Sequence, residues 1–261
     1  MKTDIRAAFF DIDGTLLPFG WQSVPDSTRQ ALAALRAGGV RVFMATGRPP
    51  IHLPLLHALD GLVFDGYVTM NGQYCYGSDG TVLYSHAIDP ASLRSLLPFI
   101  NREGISVGFI EKDRSTFNLI NDHSAEFCAR MHQGVGDVAG RIEAAPVYQL
   151  CAFLPEDKQE GFLRSCPGCV AVRWNEDFVD ILPAGGGKVE GLSHVLAALG
   201  LTREQAIAFG DGGNDVEMLR WAGIGVAMGN ACPEAKAAAD YITDDVTADG
   251  LANGLRHFGL L

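Results

Sequence analysis

Phe9-Phe10-Asp11-Ile12-Asp13-Gly14-Thr15 constrains this chain more than any other stretch. Ala7 to Phe10 is a continuous apolar run, the pattern of a short strand buried on both faces of a parallel sheet. The run stops at two carboxylates two residues apart, followed by a glycine. Asp11 to Gly14 then form the strand's carboxyl end, where open α/β sheets bind ligands. Acids at the end of a buried strand are costly unless something neutralises them. A hard cation held through oxygen, Mg²⁺ first, is the natural compensation. A solvated Asp-Gly turn fits the same residues, so the rest of the chain has to decide.

At 261 residues the chain is long for one domain and comfortable for two. With 48% hydrophobic residues it can build a sizeable core. A net charge of −11 argues against non-specific nucleic-acid binding and against docking on an anionic membrane. No run approaches the roughly 18 apolar residues of a membrane span. Met1 to Arg6 has no signal-peptide pattern. The six scattered cysteines therefore read as reduced thiols, and the expected location is cytoplasmic. Cys166-Pro-Gly-Cys169 is a lone C-x-x-C, without the second pair or histidines of a zinc site or a thioredoxin-like context. Nothing in the sequence fixes the oligomeric state; a monomer or weak dimer is the expectation.

Strand, helix and strand follow one another at the start. The first strand leads to a helix through Ala31, Leu32 and Leu35 that ends at Gly38-Gly39, then to a strand over 40–45 that stops at Thr46-Gly47-Arg48. This βαβ order makes the strands parallel and puts Thr46 on the same rim as Asp11 and Asp13. A helix is predicted over 49–59, a strand over 67–70 ending at Asn71-Gly72, and a hairpin over 74–84. From about residue 85 to 183, helices (90–102, 123–133, 156–165) mix with strands (105–110, 116–120, 148–154, 170–174, 178–182), the texture of an α+β insert. The chain then returns to its first pattern. Lys188 stands just before a helix through Val189, Leu192, Leu196 and Leu199, and the apolar run 206–209 ends in Gly210-Asp211-Gly212-Gly213-Asn214-Asp215. A strand over 224–228, an edge strand at 241–242 and a helix over 247–257 complete it. The expected domains are 1–84 with 184–261, and 85–183.

Four places now bring chemistry to one sheet edge. Asp11, Asp13 and Asp211 form an oxygen-rich set suited to an octahedral divalent ion. Thr46 and Lys188 supply donors that could hold an anion beside it. One acid could attack phosphorus in line, and the other could protonate the leaving oxygen and then deprotonate water.

Asp11-Ile-Asp-Gly-Thr15, Thr46, Lys188 and Gly210-Asp-Gly-Gly-Asn-Asp215 resemble, in order and spacing, the four motifs of the haloacid dehalogenase (HAD) superfamily. The large insert resembles a C2-type cap. Met44-Ala-Thr-Gly-Arg48, Thr69-Met-Asn-Gly72 and Gly223-Ile-Gly-Val-Ala-Met-Gly-Asn230 resemble the Cof-type IIB subfamily. The resemblance implies a Rossmann-like parallel-sheet core with an inserted α+β cap that closes over the site. It implies Asp11 as nucleophile, Asp13 as general acid/base, and Mg²⁺ held by the Asp11 side chain, the Asp13 main-chain carbonyl and Asp211. Asp215 would support the metal's waters, while Thr46, Gly47, Lys188 and Asn214 would bind the phosphoryl group. Arg48 suits either a structural or a substrate contact. The implied activity is hydrolysis of a small phosphorylated metabolite, a sugar phosphate or phosphorylated cofactor.

Other motifs fail on inspection. Gly185-Gly-Gly-Lys188 lacks the first glycine and the Ser/Thr of a phosphate-binding P-loop, and Gly223-x-Gly225 lacks the third glycine of a dinucleotide fingerprint. Two alternatives stay open. The same core could serve a hexose-phosphate mutase, or a non-catalytic phosphate-sensing module could use similar residues without needing Asp13 as an acid.

Overall fold

The structure, a computed structural model, describes residues 4–173 and 177–261. In chain order the elements begin β1 (Ala7–Phe10), α1 (Asp26–Ala37), β2 (Arg41–Ala45), β3 (Gly66–Thr69), β4 (Tyr74–Gly77) and β5 (Val82–Ser85). Next come α2 (Pro90–Glu103), β6 (Ser106–Ile110), β7 (Ser115–Phe117), α3 (Ala125–Arg130), α4 (Val138–Ala144), β8 (Gln149–Phe153), α5 (Gln159–Ser165), β9 (Cys169–Val172) and β10 (Val179–Pro183). The last are α6 (Lys188–Ala198), β11 (Ala206–Gly210), α7 (Val216–Trp221), β12 (Ile224–Ala227), α8 (Pro233–Ala238), β13 (Tyr241–Ile242) and α9 (Gly250–His257). The chain divides into two compact units. One holds the residues up to Gly47 with Pro54–Tyr84 and Lys188–Leu261; the other holds Arg48–Leu53 with Ser85–Gly187.

The first unit is built on a sheet of order β13-β12-β11-β1-β2-β3-β4-β5. Its strands from β13 through β3 run parallel, and β4 is antiparallel to β3. β1 lies in the middle because all four of its residues are apolar and both its faces are covered. Phe9 stacks on Phe43 and Phe10 on Phe209, each pair with ring centroids 5.1 Å apart. Each such ring contributes roughly 1.5–3 kcal/mol by burial. This is the Rossmann-like parallel-sheet core expected for the HAD fold.

The second unit carries an antiparallel sheet of order β7-β6-β8-β10-β9. Val107, Phe109, Leu150 and Ile181 from its strands pack with Leu96, Ile100 and Phe162 from its helices. Asp89 caps α2 by accepting from the Ala91 amide at 2.9 Å, Pro90 takes the first helical position, and Gly104 (φ +64°) ends the helix.

Several elements depart from the sequence expectation for local reasons. The stretch 49–59 forms two 3₁₀ turns, Pro50–Leu55 and His57–Leu59, because Pro49, Pro50 and Pro54 remove the donors an α-helix needs. The strand expected over 116–120 stops at Phe117. There the Asn118 side chain takes over the ladder, accepting from the Val107 amide (2.8 Å) and donating to the Ile105 carbonyl (3.0 Å). The helix expected over 123–133 is confined to α3, which gives way to His132 in a left-handed conformation. Glycines around it hid α4, which packs Val138 and Ile142 into the core. The terminal helix is preceded by a 3₁₀ turn, Val246–Ala248, and interrupted by left-handed Asp249. Trp174, expected at a strand end, lies outside the described residues.

Candidate active site

Register brings the polar strand ends together. Phe10 is level with Met44 on one side and Phe209 on the other. One residue further on, Asp11 leaves β1, its amide donating to the Phe209 carbonyl (3.1 Å). Thr46 leaves β2 with its amide on the Val68 carbonyl (2.8 Å), and Asp211 leaves β11 directly after Gly210.

Lys188, the first residue of α6, reaches this edge from far along the chain. Its Nζ donates to Asp11 Oδ1 (2.7 Å) and Asp215 Oδ1 (2.5 Å), and all three side chains are buried. The other oxygen of Asp215 accepts from the Asp211 and Gly212 amides, both at 3.0 Å, so this acid ties the 210–215 loop to the lysine. Thr15 Oγ1 donates to Asp211 Oδ1 (2.8 Å). Asp13 is half-buried one turn of loop away, where the amides of Thr15, Leu16 and Leu17 all converge on the Ile12 carbonyl. Gly14 (φ +88°) has to be glycine twice over: the conformation is left-handed, and a Cβ would stand 2.2 Å from Asp211 Oδ2.

Among the described residues, Asp11, Asp211 and Asp215 offer carboxylate oxygens within 4.8 Å of one another. Their environment is under-neutralised, with one ammonium serving three buried acids. Burial holds the Asp11 carboxyl well above the usual range; Lys188 opposes this, and Asp215, Asp211 and Asp13 reinforce it. Burial likewise pushes Asp211 up to about 7, with Asp215 and Asp13 adding and the Thr15 hydroxyl and Lys188 opposing. Burial disfavours the Lys188 ammonium, but Asp11 and Asp215 outweigh it and raise its pKa. A crowded all-oxygen donor set of this kind fits a divalent cation, which would remove the cost of keeping the acids ionised.

Thr46, Gly47 and Asn214 are connected through a residue absent from the expected site, Asn71. Its amide donates to the Thr46 carbonyl (3.0 Å), and its Oδ1 accepts from Asn214 Nδ2 (3.1 Å). A Cβ on Gly47 would touch the Asn71 amide group at 3.2 Å. Asn71 and its neighbour Met70 are both left-handed, at φ +52° and +50°. Asn71-Gly72 marked a strand end in the sequence, but nothing there indicated which loop it would join. Asn230 was also missed; it donates to the Gly14 carbonyl (2.8 Å) and accepts from the Val246 amide (2.9 Å), bracing the acidic loop. Arg48 belongs to the other unit, with Arg48–Leu53.

Comparison with known proteins fits this architecture. The haloacid dehalogenase-like hydrolase family profile matches residues 8–255. YkrA of Bacillus subtilis (strain 168), a phosphatase in name, is 33% identical over 266 residues, covering 99% of both chains. The solved structure of BT1666 from Bacteroides thetaiotaomicron, described among HAD-superfamily phosphatases, superposes with a TM-score of 0.91 at 32% identity over 98% of this chain and 96% of that one. The subclass IIB sugar phosphatase BT4131 gives 0.88 at 36% identity, over 98% and 100%. The class is therefore that of hydrolases acting on phosphomonoesters. The chain belongs to the haloacid dehalogenase-like hydrolase family. No helix among the described residues is long and apolar enough to cross a membrane.

Proposed function

We propose that the protein is a Mg²⁺-dependent phosphatase of small phosphomonoesters, sugar phosphates foremost, acting through an aspartyl-phosphate on Asp11. The observation that carries this reading is the buried Asp11 carboxylate, positioned by Lys188 at 2.7 Å on one oxygen and set beside Asp211 and Asp215. Similarity to a sugar phosphatase along the whole chain supports the substrate class.

Lys188 fixes one Asp11 oxygen and leaves the carboxylate to attack phosphorus with the other. The new Asp11 O–P bond forms as the ester P–O bond breaks, and Asp13 gives its proton to the departing alkoxide. Asp13 then takes a proton from water as that water attacks phosphorus, and the P–O bond to Asp11 breaks to release phosphate. Thr46, the Gly47 amide, Asn214 and the Lys188 ammonium are the donors for the phosphoryl oxygens. Asp11, Asp211 and the Asp13 carbonyl would hold the metal, with Asp215 supporting its waters. Bound there, Mg²⁺ would keep the acids ionised and supply positive charge to the phosphoryl group.

A panel of sugar phosphates, phosphorylated cofactors and an aryl phosphate, assayed with Mg²⁺ and with chelator, tests this directly. Release of free phosphate from one chemical class, abolished by chelation, is expected. Isomerisation without phosphate release, or no turnover of any ester, would contradict it.

A further inference from the structure

Cys166 and Cys169 bracket a tight turn in the second unit. Cys166 follows the last residue of α5, and Cys169 begins β9. Proline precedes glycine between them, and Gly168 has φ +77°, which a type II turn requires at that position. Such a turn brings its first and fourth Cα atoms within about 7 Å, the separation a disulfide spans. The sulfur atoms are 3.4 Å apart, with the Cys166 thiol donating toward Cys169. Cys166 is fully buried, while Cys169 is partly exposed, and the space where a Gly168 side chain would stand is open.

We infer that Cys166 and Cys169 are a redox-active dithiol that closes to an intramolecular disulfide by exchange with a low-molecular-weight disulfide. Cys169 is the attacking sulfur. The hydrogen bond from Cys166 lowers its pKa, against burial and the nearby Asp89 carboxylate. Its thiolate displaces one thiolate from the small disulfide and forms a mixed disulfide. Cys166 then loses its proton to solvent and attacks the Cys169 sulfur, expelling the second small thiolate. The two protein thiols lose two electrons, and the small disulfide gains them. A four-residue ring restricts the unfolded chain little, so this bond suits reversible use and adds little structural stability.

The turn is also bonded to the segment that leaves this unit. Gly168 accepts from the Ala184 amide at 2.7 Å, and Cys169 pairs with Pro183, five residues before Lys188. Ring closure therefore acts on the backbone at 183–184.

The test is timed exposure of the intact, folded protein to oxidised glutathione, followed by alkylation and peptide mass mapping. Cys232, the other partly exposed thiol, is the internal comparator. A Cys166–Cys169 bond reversed by dithiothreitol is expected, with Cys169 reacting severalfold faster than Cys232. The Cys166→Ala variant should trap glutathione on Cys169. Hydrogen exchange of the Ala184 amide should differ severalfold between the oxidised and reduced protein. The inference is overturned by stable glutathione on wild-type Cys169 without ring closure, by faster reaction at Cys232, or by failure of both thiols to react when those of the unfolded chain do. Since the wild-type map alone can decide, a misfolded variant would not leave the question open. Equal exchange at Ala184 would refute the effect on 183–184.

Discussion

Replacing Asp211 with Asn should make the metal-free protein more stable while destroying its activity. In the folded protein burial, reinforced by Asp215, pushes the Asp211 carboxyl up to about 7 from its ordinary 3.8. A carboxyl raised on folding stabilises below its unfolded pKa, and that contribution is lost as pH rises through the folded one. At 1.36 kcal/mol per pH unit, holding Asp211 ionised at pH 8 costs about 4 kcal/mol. Asparagine keeps an oxygen for the Thr15 hydroxyl and carries no charge. Burying the new amide offsets about half the gain, leaving about 2 kcal/mol, or roughly 4–8 °C in Tm for a chain of this size. The gain should be largest at pH 8 and should shrink by about 3 kcal/mol toward pH 5, where the wild-type carboxyl is mostly protonated. Mg²⁺ should raise the wild-type Tm and leave the variant's unchanged, and hydrolysis by the variant should fall at least about a hundredfold. Thermal unfolding in chelator at the two pH values, with and without Mg²⁺, checks this. A variant less stable than wild type at pH 8, with a gap independent of pH, would refute the view of the three acids as an under-neutralised cluster.

Other consequences follow from the same geometry. Protons should compete with the metal, so the Mg²⁺ concentration for half-maximal activity should rise as pH falls below about 7, the value to which Asp211 is pushed; a flat profile between pH 6 and 8 would contradict this. Gly14→Ala should abolish turnover and lower stability by about 1–3 kcal/mol, because left-handed strain and the 2.2 Å clash with Asp211 act together; calorimetry and kinetics on one sample check both. Asn71→Ala should weaken binding of inorganic phosphate at least about tenfold by releasing Asn214, while Asn71→Gly should retain the backbone conformation and still lose binding; isothermal titration separates the two. Burial, with Arg48, depresses His52 to about 4. Its contribution to stability is present above pH 6.5 and lost as pH falls through 4, so His52→Gln should flatten the acid limb of stability by up to about 3 kcal/mol.

The fold's central layer was legible because β1, β2 and β11 are short apolar runs that end in chemically distinctive residues. Asp11, Thr46 and Asp211 could therefore be assigned to one sheet edge before any distance was known. Lys188 was legible as a residue just before a helix, but its bridge between Asp11 and Asp215 was not, since it stands 177 positions from Asp11. Asn71 stood in the Thr69-Met-Asn-Gly72 resemblance but without a site role, because its contribution depends on a strained turn between two other loops, and no periodic pattern encodes that. The helix expected over 49–59 rested on proline as a helix opener, but Pro49, Pro50 and Pro54 together remove too many donors for an α-helix. Asn118 ended a strand by side-chain mimicry of backbone hydrogen bonds, which composition does not reveal.

The most direct test of the central claim is to look for phosphorus on Asp11. The leaving group of an aryl phosphate departs without needing a proton, so with it Asp13→Asn should slow chiefly the water-dependent step; that variant should be mixed with a turned-over aryl phosphate and Mg²⁺, quenched in acid, and mapped by peptide mass spectrometry. A single phosphoryl group on the peptide that contains Asp11, absent from an Asp11→Asn control, is the predicted result. Undiminished steady hydrolysis by Asp13→Asn, or turnover by Asp11→Asn at the wild-type rate, would contradict the account.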